Sequence, residues 1–426
     1  MKLFNKLFSI ALIFFVSTMF ATSQFAEIQN FTPRDKDGLN VFETPKDNSA
    51  PYTGRQIRIG GAFALQMQSI SQKNDIAITD STGLIELGSD FNLPTANLFI
   101  DVQLADGVRL NLDLYLASNH HHETWVKGGY LQIDKLDFIS KGFLGSLMDY
   151  TTIKVGQMEN NYGDAHFRRS DNGAAFMNPF VGNLIMDAFV TEIGAEVYYQ
   201  NSGFIGMLGF ANAKLNQSVT SPETTTPAIL AKVGYDKQIN DDFRLRITGS
   251  VYHTAQARSI YLYHGDRTGS RFYNVIQSVG EDASYKAGRY APSFKSKVTA
   301  MMFNNLIKYK GLELFSTFEM TTGGDGVSND KDMAWTQFAS ELLYRFGTDD
   351  NLYGGIKYNM ASGDDKNAID ETVSIDRIEA GLGWFMTRNI LTKVIYVNQN
   401  YTDFAPTSSY AGANFNGITL EAVISF

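Results

Sequence analysis

Cysteine is absent from all 426 residues, so the chain has no disulfide framework and no thiolate metal site. A basic excess is missing as well. Lys and Arg total 36 against 45 Asp and Glu, a formal charge of −9, whereas a general nucleic-acid binder needs a basic face. Past the N-terminus no apolar run reaches about 20 residues, and the mean hydropathy is −0.17; together these exclude a polytopic helical membrane protein. Proline is scarce, at 9 residues, while Tyr (21), Phe (31) and Gly (37) are abundant. Soluble enzymes seldom combine these features; chains whose strands face lipid do.

The first residues read as a targeting segment. Lys2 and Lys6 form a short positive region, Leu7 to Phe20 is almost wholly apolar, and Ala21-Thr22-Ser23 supplies small residues before Gln24. That order is a secretory signal peptide, and its apolar core is too short for a membrane span. Three sections follow: a signal peptide over residues 1–23, a polar N-terminal leader over 24–54, and the body of the chain over 55–426. Proline and mixed charge in Phe31 to Gly38 and Glu43 to Lys46 make the leader a poor strand or helix. It is either a loose leader or a segment tucked into the body.

From Arg55 onward the dominant pattern is alternation with period two. Val108 to Leu116 is the clearest case, with every second residue aliphatic and the others charged, polar or Tyr. About sixteen such segments occur, the first over about 55–67, and no amphipathic helix competes with them. Connections after even-numbered segments are short, as at Ala105-Asp106-Gly107 and Asn201-Ser202; those after odd-numbered segments are mostly longer. One exception is the long even connection near Lys135 to Tyr150. This parity, with an alternating last segment ending on Phe426, predicts an all-β fold: a single transmembrane antiparallel β-barrel of about 16 strands, 14 or 18 remaining compatible, enclosing an aqueous channel.

If the aliphatic face points to lipid, the alternate residues face the lumen. The expected basic lining is Arg58, Arg109, Lys127, Lys154, Lys232, Arg244, Arg246, Lys297, Arg345, Lys357, Arg377 and Lys393. The expected acidic lining is Asp101, Asp113, Glu192, Glu196, Glu313, Glu319, Glu341, Glu379 and Glu421. Each of these charges either shapes passage through the lumen or only pairs across the wall. The third long connection, Met158 to Asp187, carries Phe167, Phe176, Met177 and Phe180, more apolar surface than an exposed loop needs. Folded inward, it forms a constriction loop, with His166, Arg168 and Arg169 as a basic eyelet flanked by Asp164 and Asp171. The alternative is that the arginines pair with the neighbouring aspartates and only fix the loop.

Other chemistry is weak. His120-His121-His122-Glu123 cannot easily converge on one metal and reads as a solvated turn, and Asp325 to Asp332 lacks the bidentate Glu of an EF-hand loop. Ser250 and His253 point to opposite faces of a strand, so no catalytic pair is expected. No cofactor, metal site or enzymatic activity is expected.

The signal peptide, the strand and loop order, the Gly156-Gln157-Met158-Glu159 entry to the third loop and terminal Phe426 resemble an outer-membrane porin of the kind common in Bacteroidota. More distantly the chain is similar to the phosphate-selective porin family, although its excess of basic lining is small. The resemblance implies placement in the lipid of a bacterial outer membrane. It implies passive diffusion of small hydrophilic solutes or ions with a mild anion preference, and a homotrimer. The alternative is a non-conducting barrel anchor, whose long loops Gln68–Leu93 and Gln256–Lys295 mediate adhesion or complex assembly.

Overall fold

The computed structural model describes residues 27–426, apart from 45, 47–49, 77–82, 93, 118–123, 215–224, 265–270, 282–286 and 327–330. The histidine run therefore falls outside the described residues. So does the centre of the Asp325–Asp332 stretch.

Alternation becomes sixteen barrel strands. They are β1 (Gln56–Lys73), β2 (Thr95–Ala105), β3 (Val108–Ala117), β4 (Trp125–Ile133), β5 (Thr151–Glu159), β6 (Thr191–Asn201), β7 (Phe204–Ala211) and β8 (Ala228–Gln238). Then come β9 (Phe243–Thr254), β10 (Val298–Tyr309), β11 (Leu312–Gly324), β12 (Asp332–Phe346), β13 (Leu352–Asp364), β14 (Thr372–Thr387), β15 (Ile390–Thr402) and β16 (Asn414–Ser425). Each strand pairs antiparallel with its sequence neighbours, and a two-residue strand, Asp90–Phe91, adds briefly to β1. β1 closes the sheet. Gln56–Ala64 pairs with β2, while Ala62–Lys73 pairs with β16 in the register Ala62↔Ser425 to Lys73↔Asn414. Its C-terminal half runs beyond the end expected near Met67, because it must span the stagger between two partners. Phe426 completes the seam: its N–H donates to the Gly61 carbonyl at 3.0 Å, and the Gly61 N–H donates back at 3.1 Å.

Period-two patterning makes the two sides of this wall unlike. Leu208, Leu382, Ile57, Val233, Ile247 and Phe303 point outward, Leu208 being 70% exposed. Asp101, Glu313, Asn359, Glu379 and Gln399 point inward and are fully buried. An apolar band around the whole outer surface is what lipid requires, and closure leaves no unpaired sheet edge within it.

The two rims also differ. Six of the seven connections after even-numbered strands are tight, and Ser202-Gly203 is a two-residue hairpin with both φ angles positive (53° and 95°), the geometry that matches strand twist. The exception spans 134–150 and holds a short helix, α1 (Gly145–Met148). Its Phe138, Ile139, Leu144 and Leu147 are exposed, and Tyr150 packs 5.9 Å from Tyr199 on the outer wall. The opposite rim carries the long loops. The largest spans residues 255–297, and its described parts turn inward and bury Tyr263, Phe272 and Phe294.

Because the outward face meets lipid, Leu208→Arg will cost about 2–4 kcal/mol if the residue sits near the bilayer midplane. Reversible unfolding from lipid vesicles measures it, and an unchanged stability would place this face away from lipid.

Candidate functional site

Strand alternation delivers nearly all of the expected lining to the lumen. Arg109, Glu192, Glu196, Arg246, Lys357 and Arg377 are buried inside the barrel, and Arg58, Asp113, Lys154 and Arg244 are partly buried there. Lys297 departs from expectation. It precedes β10, its side chain is 42% exposed, and it pairs with exposed Asp332 at the rim.

The third loop, residues 160–190, crosses the lumen, meeting β2, β6 and the strands from β9 to β15, and leaves a space along β3 to β6. An irregular backbone buried this deeply must find partners for its peptide groups, and wall side chains supply them. The Asn161 N–H donates to Glu196 (2.9 Å), Gly182 to Glu379 (2.8 Å), Ile185 to Asn359 (2.7 Å) and Met186 to Gln337 (2.8 Å). Lys357 Nζ donates to the Gly182 carbonyl at 3.0 Å, and Lys393 Nζ to the carbonyls of Ala175, Asn178 and Phe180 at 2.9–3.2 Å. Gly173 presses so close to β2 that an added Cβ would sit 2.6 Å from Ala96 Cα. Wall charges thus act as caps for a loop without regular structure.

All five residues expected at the eyelet are paired. Arg168 reaches Glu313 (2.9 Å) and Glu341 (3.0 Å) across the lumen, and also Asn40. Arg169 holds Asp187 through two bonds of 2.7 and 2.9 Å and Asp171 at 3.3 Å. Asp164 accepts from Arg246 (2.8 Å), Lys232 (3.0 Å) and Thr248 (2.7 Å). His166 bonds Glu159 (2.6 Å) and Asn161 (3.0 Å), and Asp171 meets Lys127 and Tyr115. The five do not converge on one opening. His166, Arg169 and Asp171 face a common cavity, whereas Arg168 and Asp164 are turned into ion-pair clusters on the far side of the loop. For Arg168 the partners are wall glutamates rather than the adjacent aspartates.

That cavity, about 310 Å³, separates the loop from the wall formed by β3 to β6. Arg109, Asp113, Lys127, Lys154 and Glu196 line it from the wall. Its base is a segment that sequence reasoning left undecided. Residues 28–44 run inside the barrel, contributing Arg34 and Glu43 to the lining. Arg34 pairs with Asp101 at 2.6 Å, and Glu43 with Arg246 at 2.8 Å and Lys232 at 3.3 Å. The available signal was the mixed charge of this stretch, which complements wall and turn groups of opposite sign but is equally at home in water. From the other rim, Arg271 pairs with Glu421, Arg289 with Asp187 (2.7 Å), and the Tyr290 N–H donates to the Ile185 carbonyl (2.8 Å).

Electrostatics reinforce the loop. Burial pushes the Asp187 carboxyl up, but the charges of Arg169 and Arg289 outweigh it and hold the group at about 2, below its ordinary 3.8. Burial likewise opposes ionisation of Glu43 and Asp164, yet Arg246 and Lys232 keep both well below the usual carboxylate range. Among the described residues no cluster of three potential ligands could hold a metal. Ser250 and His253 stay apart: the Ser250 hydroxyl accepts from the Gly163 N–H at 2.8 Å, and the His253 ring bonds Thr299 at 2.9 Å.

A closed sixteen-stranded barrel with a charged lumen and an inward third loop is the fold of outer-membrane porins, and solved structures agree. An anion-selective porin from Comamonas acidovorans is similar with a TM-score of 0.52, at 13% identity, covering 87% of this chain and 100% of that one. The outer-membrane channel DcaP of Acinetobacter baumannii matches with 0.52 and 13% identity over 88% and 99%. OmpT, an outer-membrane protein of Vibrio cholerae, matches with 0.51 and 10% identity over 88% and 99%. No family model and no curated protein sequence matches the chain.

Asp187 gives a pH dependence. Its folded pKa is depressed, so its contribution, about 2 kcal/mol, is present above about pH 4 and is lost as pH falls toward 2. Hydrogen exchange within residues 160–190 will stay slow from neutral pH to about 4 and quicken below it, after correction for intrinsic rates. Asp187→Asn will lower that protection already at neutral pH and remove this acid dependence; acid-insensitive protection in the native protein would contradict the role assigned to this carboxylate.

Proposed function

We propose that the chain is an outer-membrane porin through which small hydrophilic solutes and ions diffuse passively. The observation that supports it most is the space of about 310 Å³ kept open between the third loop and the β3–β6 wall, inside a barrel closed to lipid. Both signs of charge line that space: Arg34, Arg109, Lys127, Lys154 and Arg169 face Glu43, Asp113, Glu159, Asp171 and Glu196. Opposed charges favour small polar solutes generally. In this reading the short-turn rim faces the periplasm, residues 1–23 are the cleaved signal peptide, and the barrels assemble as trimers.

A mild anion preference rests on Lys154. Its ammonium sits over the rings of Tyr130 (5.2 Å) and Tyr198 (5.1 Å), and among the described residues no carboxylate lies within ion-pair distance of it. Ring faces stabilise the cation without cancelling its charge. His166, Arg169 and Asp171 border the same space and form the constriction, while Arg168 and Asp164 hold the loop in place.

A second reading, the barrel as an anchor whose loops mediate adhesion or assembly, draws support from how much of the lumen is occupied. The third loop, the 255–297 loop and the N-terminal segment all enter it.

Planar-bilayer recording separates the two. The porin reading expects stable conductance and, in a KCl gradient, a weakly anion-selective reversal potential that moves toward zero in Lys154→Ala. A folded barrel that never conducts would discard it in favour of the anchor.

A further inference from the structure

The N-terminal segment does more than touch the wall. Followed residue by residue, it makes almost a full turn around the inside of the short-turn rim. Gln29 bonds Gln103 at the end of β2 (2.9 Å), and Arg34 pairs with Asp101 on the same strand. The Lys36 N–H donates to the Arg388 carbonyl in the β14–β15 turn (2.9 Å), and Asp35 pairs with the Arg388 side chain (2.8 Å). Asn40 then donates to Glu313 on β11 (3.0 Å), and Phe42 packs on Leu306 of β10 and Phe315 of β11. Glu43 meets Arg246 of β9 and Lys232 of β8. Lys46 ends the circuit, paired with Asp134 after β4 (3.0 Å) and donating to the Thr151 carbonyl of β5 (2.9 Å). In strand order the path runs from β2 backwards through the seam to β15, and on through β11, β10, β9 and β8 to β4.

The inner edge of this ring borders the cavity, through Phe31, Pro33, Arg34, Val41 and Thr44. Its outer edge faces the wall, and the wall groups it meets each keep another partner without it, a neutral one in the case of Asp134. Without the ring, Asp101 keeps Arg109 (3.6 Å), Asp134 keeps Thr152 (2.6 Å) and Glu313 keeps Arg345 (3.1 Å) and Arg168. Lys232 and Arg246 keep Asp164. A strand core would not be built this way, because removing one partner of a buried pair normally strands the other. The arrangement is that of an insert fitted to a barrel already complete.

We infer that residues 28–44, with Lys46, form a size-limiting ring, which together with the third loop sets the largest solute that passes. This rests on the porin reading and adds a specificity element to it. The ring is held by ion pairs at separate strands around the short-turn rim, whereas the third loop crosses the lumen and leaves the space along β3 to β6 that the ring borders.

The test compares the full chain with two variants. One carries Arg34→Gln, Glu43→Gln and Lys46→Gln, which removes three anchors and leaves the segment in place; the other deletes residues 28–46. Folding is checked by resistance to detergent denaturation before conductance is recorded and uptake of sugars of graded size is measured in liposomes. The expected result is a conductance raised about twofold or more in the deletion and by less in the triple variant, with a higher ratio of disaccharide to monosaccharide uptake in both. A native protein that is closed while the folded variants conduct would overturn the size-limiting ring, since a segment that lets nothing through is a plug. Should native protein and variants conduct alike, with the same sugar ratio, the ring is overturned and the porin reading stands. If none of the folded proteins conducts, both fail. If the deletion does not fold, the triple variant alone decides, since an unchanged sugar ratio there overturns the proposal.

Discussion

Closure of the sheet by β1 against β16 is the constraint from which the rest follows. In lipid every backbone N–H and C=O must be satisfied within the protein, and a sheet achieves this only with no free edge. Once the ring of strands is closed, each strand has one face in lipid and one in the lumen, and the period of two sorts the side chains between them. The outward set is Ile, Leu, Val, Phe and Tyr, whereas the inward set holds Asp101, Arg109, Glu196, Arg246, Glu313, Lys357, Arg377 and Lys393. So many ionisable groups in so small a volume cannot remain isolated, because an unpaired buried charge is expensive. They therefore pair, either with each other or with whatever else enters the barrel.

What enters is chain that has no regular structure of its own. The third loop could not be buried in an apolar core, since its peptide groups would have no partners. A charged wall removes that obstacle. Lys393 binds three successive stretches of loop carbonyl, Lys357 binds another, and Glu196, Glu379, Asn359 and Gln337 take up loop N–H groups. The N-terminal segment and the 255–297 loop use the same device, through Arg34 with Asp101 and Arg271 with Glu421. Lumen charge is thus first a means of ordering inserts. Only a few groups, Lys154 among them, are left facing open space without an ion-pair partner among the described residues.

Much of this architecture was legible in the sequence, because it depends on local patterns. Alternation in Val108–Leu116 and the parity of connection lengths gave sixteen strands and a closed antiparallel barrel, and the apolar residues of the third loop placed it inside. The site was less legible, for a physical reason. Whether Arg168 faces a passage or a glutamate depends on which strand lies opposite, and Glu313 and Glu341 are far away in sequence. The eyelet was expected as a unit, yet the loop's path splits it: Arg169 and His166 face the cavity, and Arg168 does not. Residues 28–46 were hardest to place. Their Pro, Asp, Lys and Glu suit a solvated leader as well as a polar lumen, and only the complementary charges on β2, β8 and β9 distinguish the two.

The account stands on the assignment of faces, and the absence of cysteine makes that directly measurable. Single cysteines at Leu112 and Asp113 on β3, in protein folded into lipid vesicles, can be offered a charged thiol reagent small enough to enter the lumen. The structure requires that Asp113→Cys, on the cavity wall, be modified from water and that Leu112→Cys, on the lipid side, react only with a lipid-soluble reagent. Modification of both by the charged reagent, or the reverse order, would contradict a lipid-sealed barrel with a water-filled space along this wall.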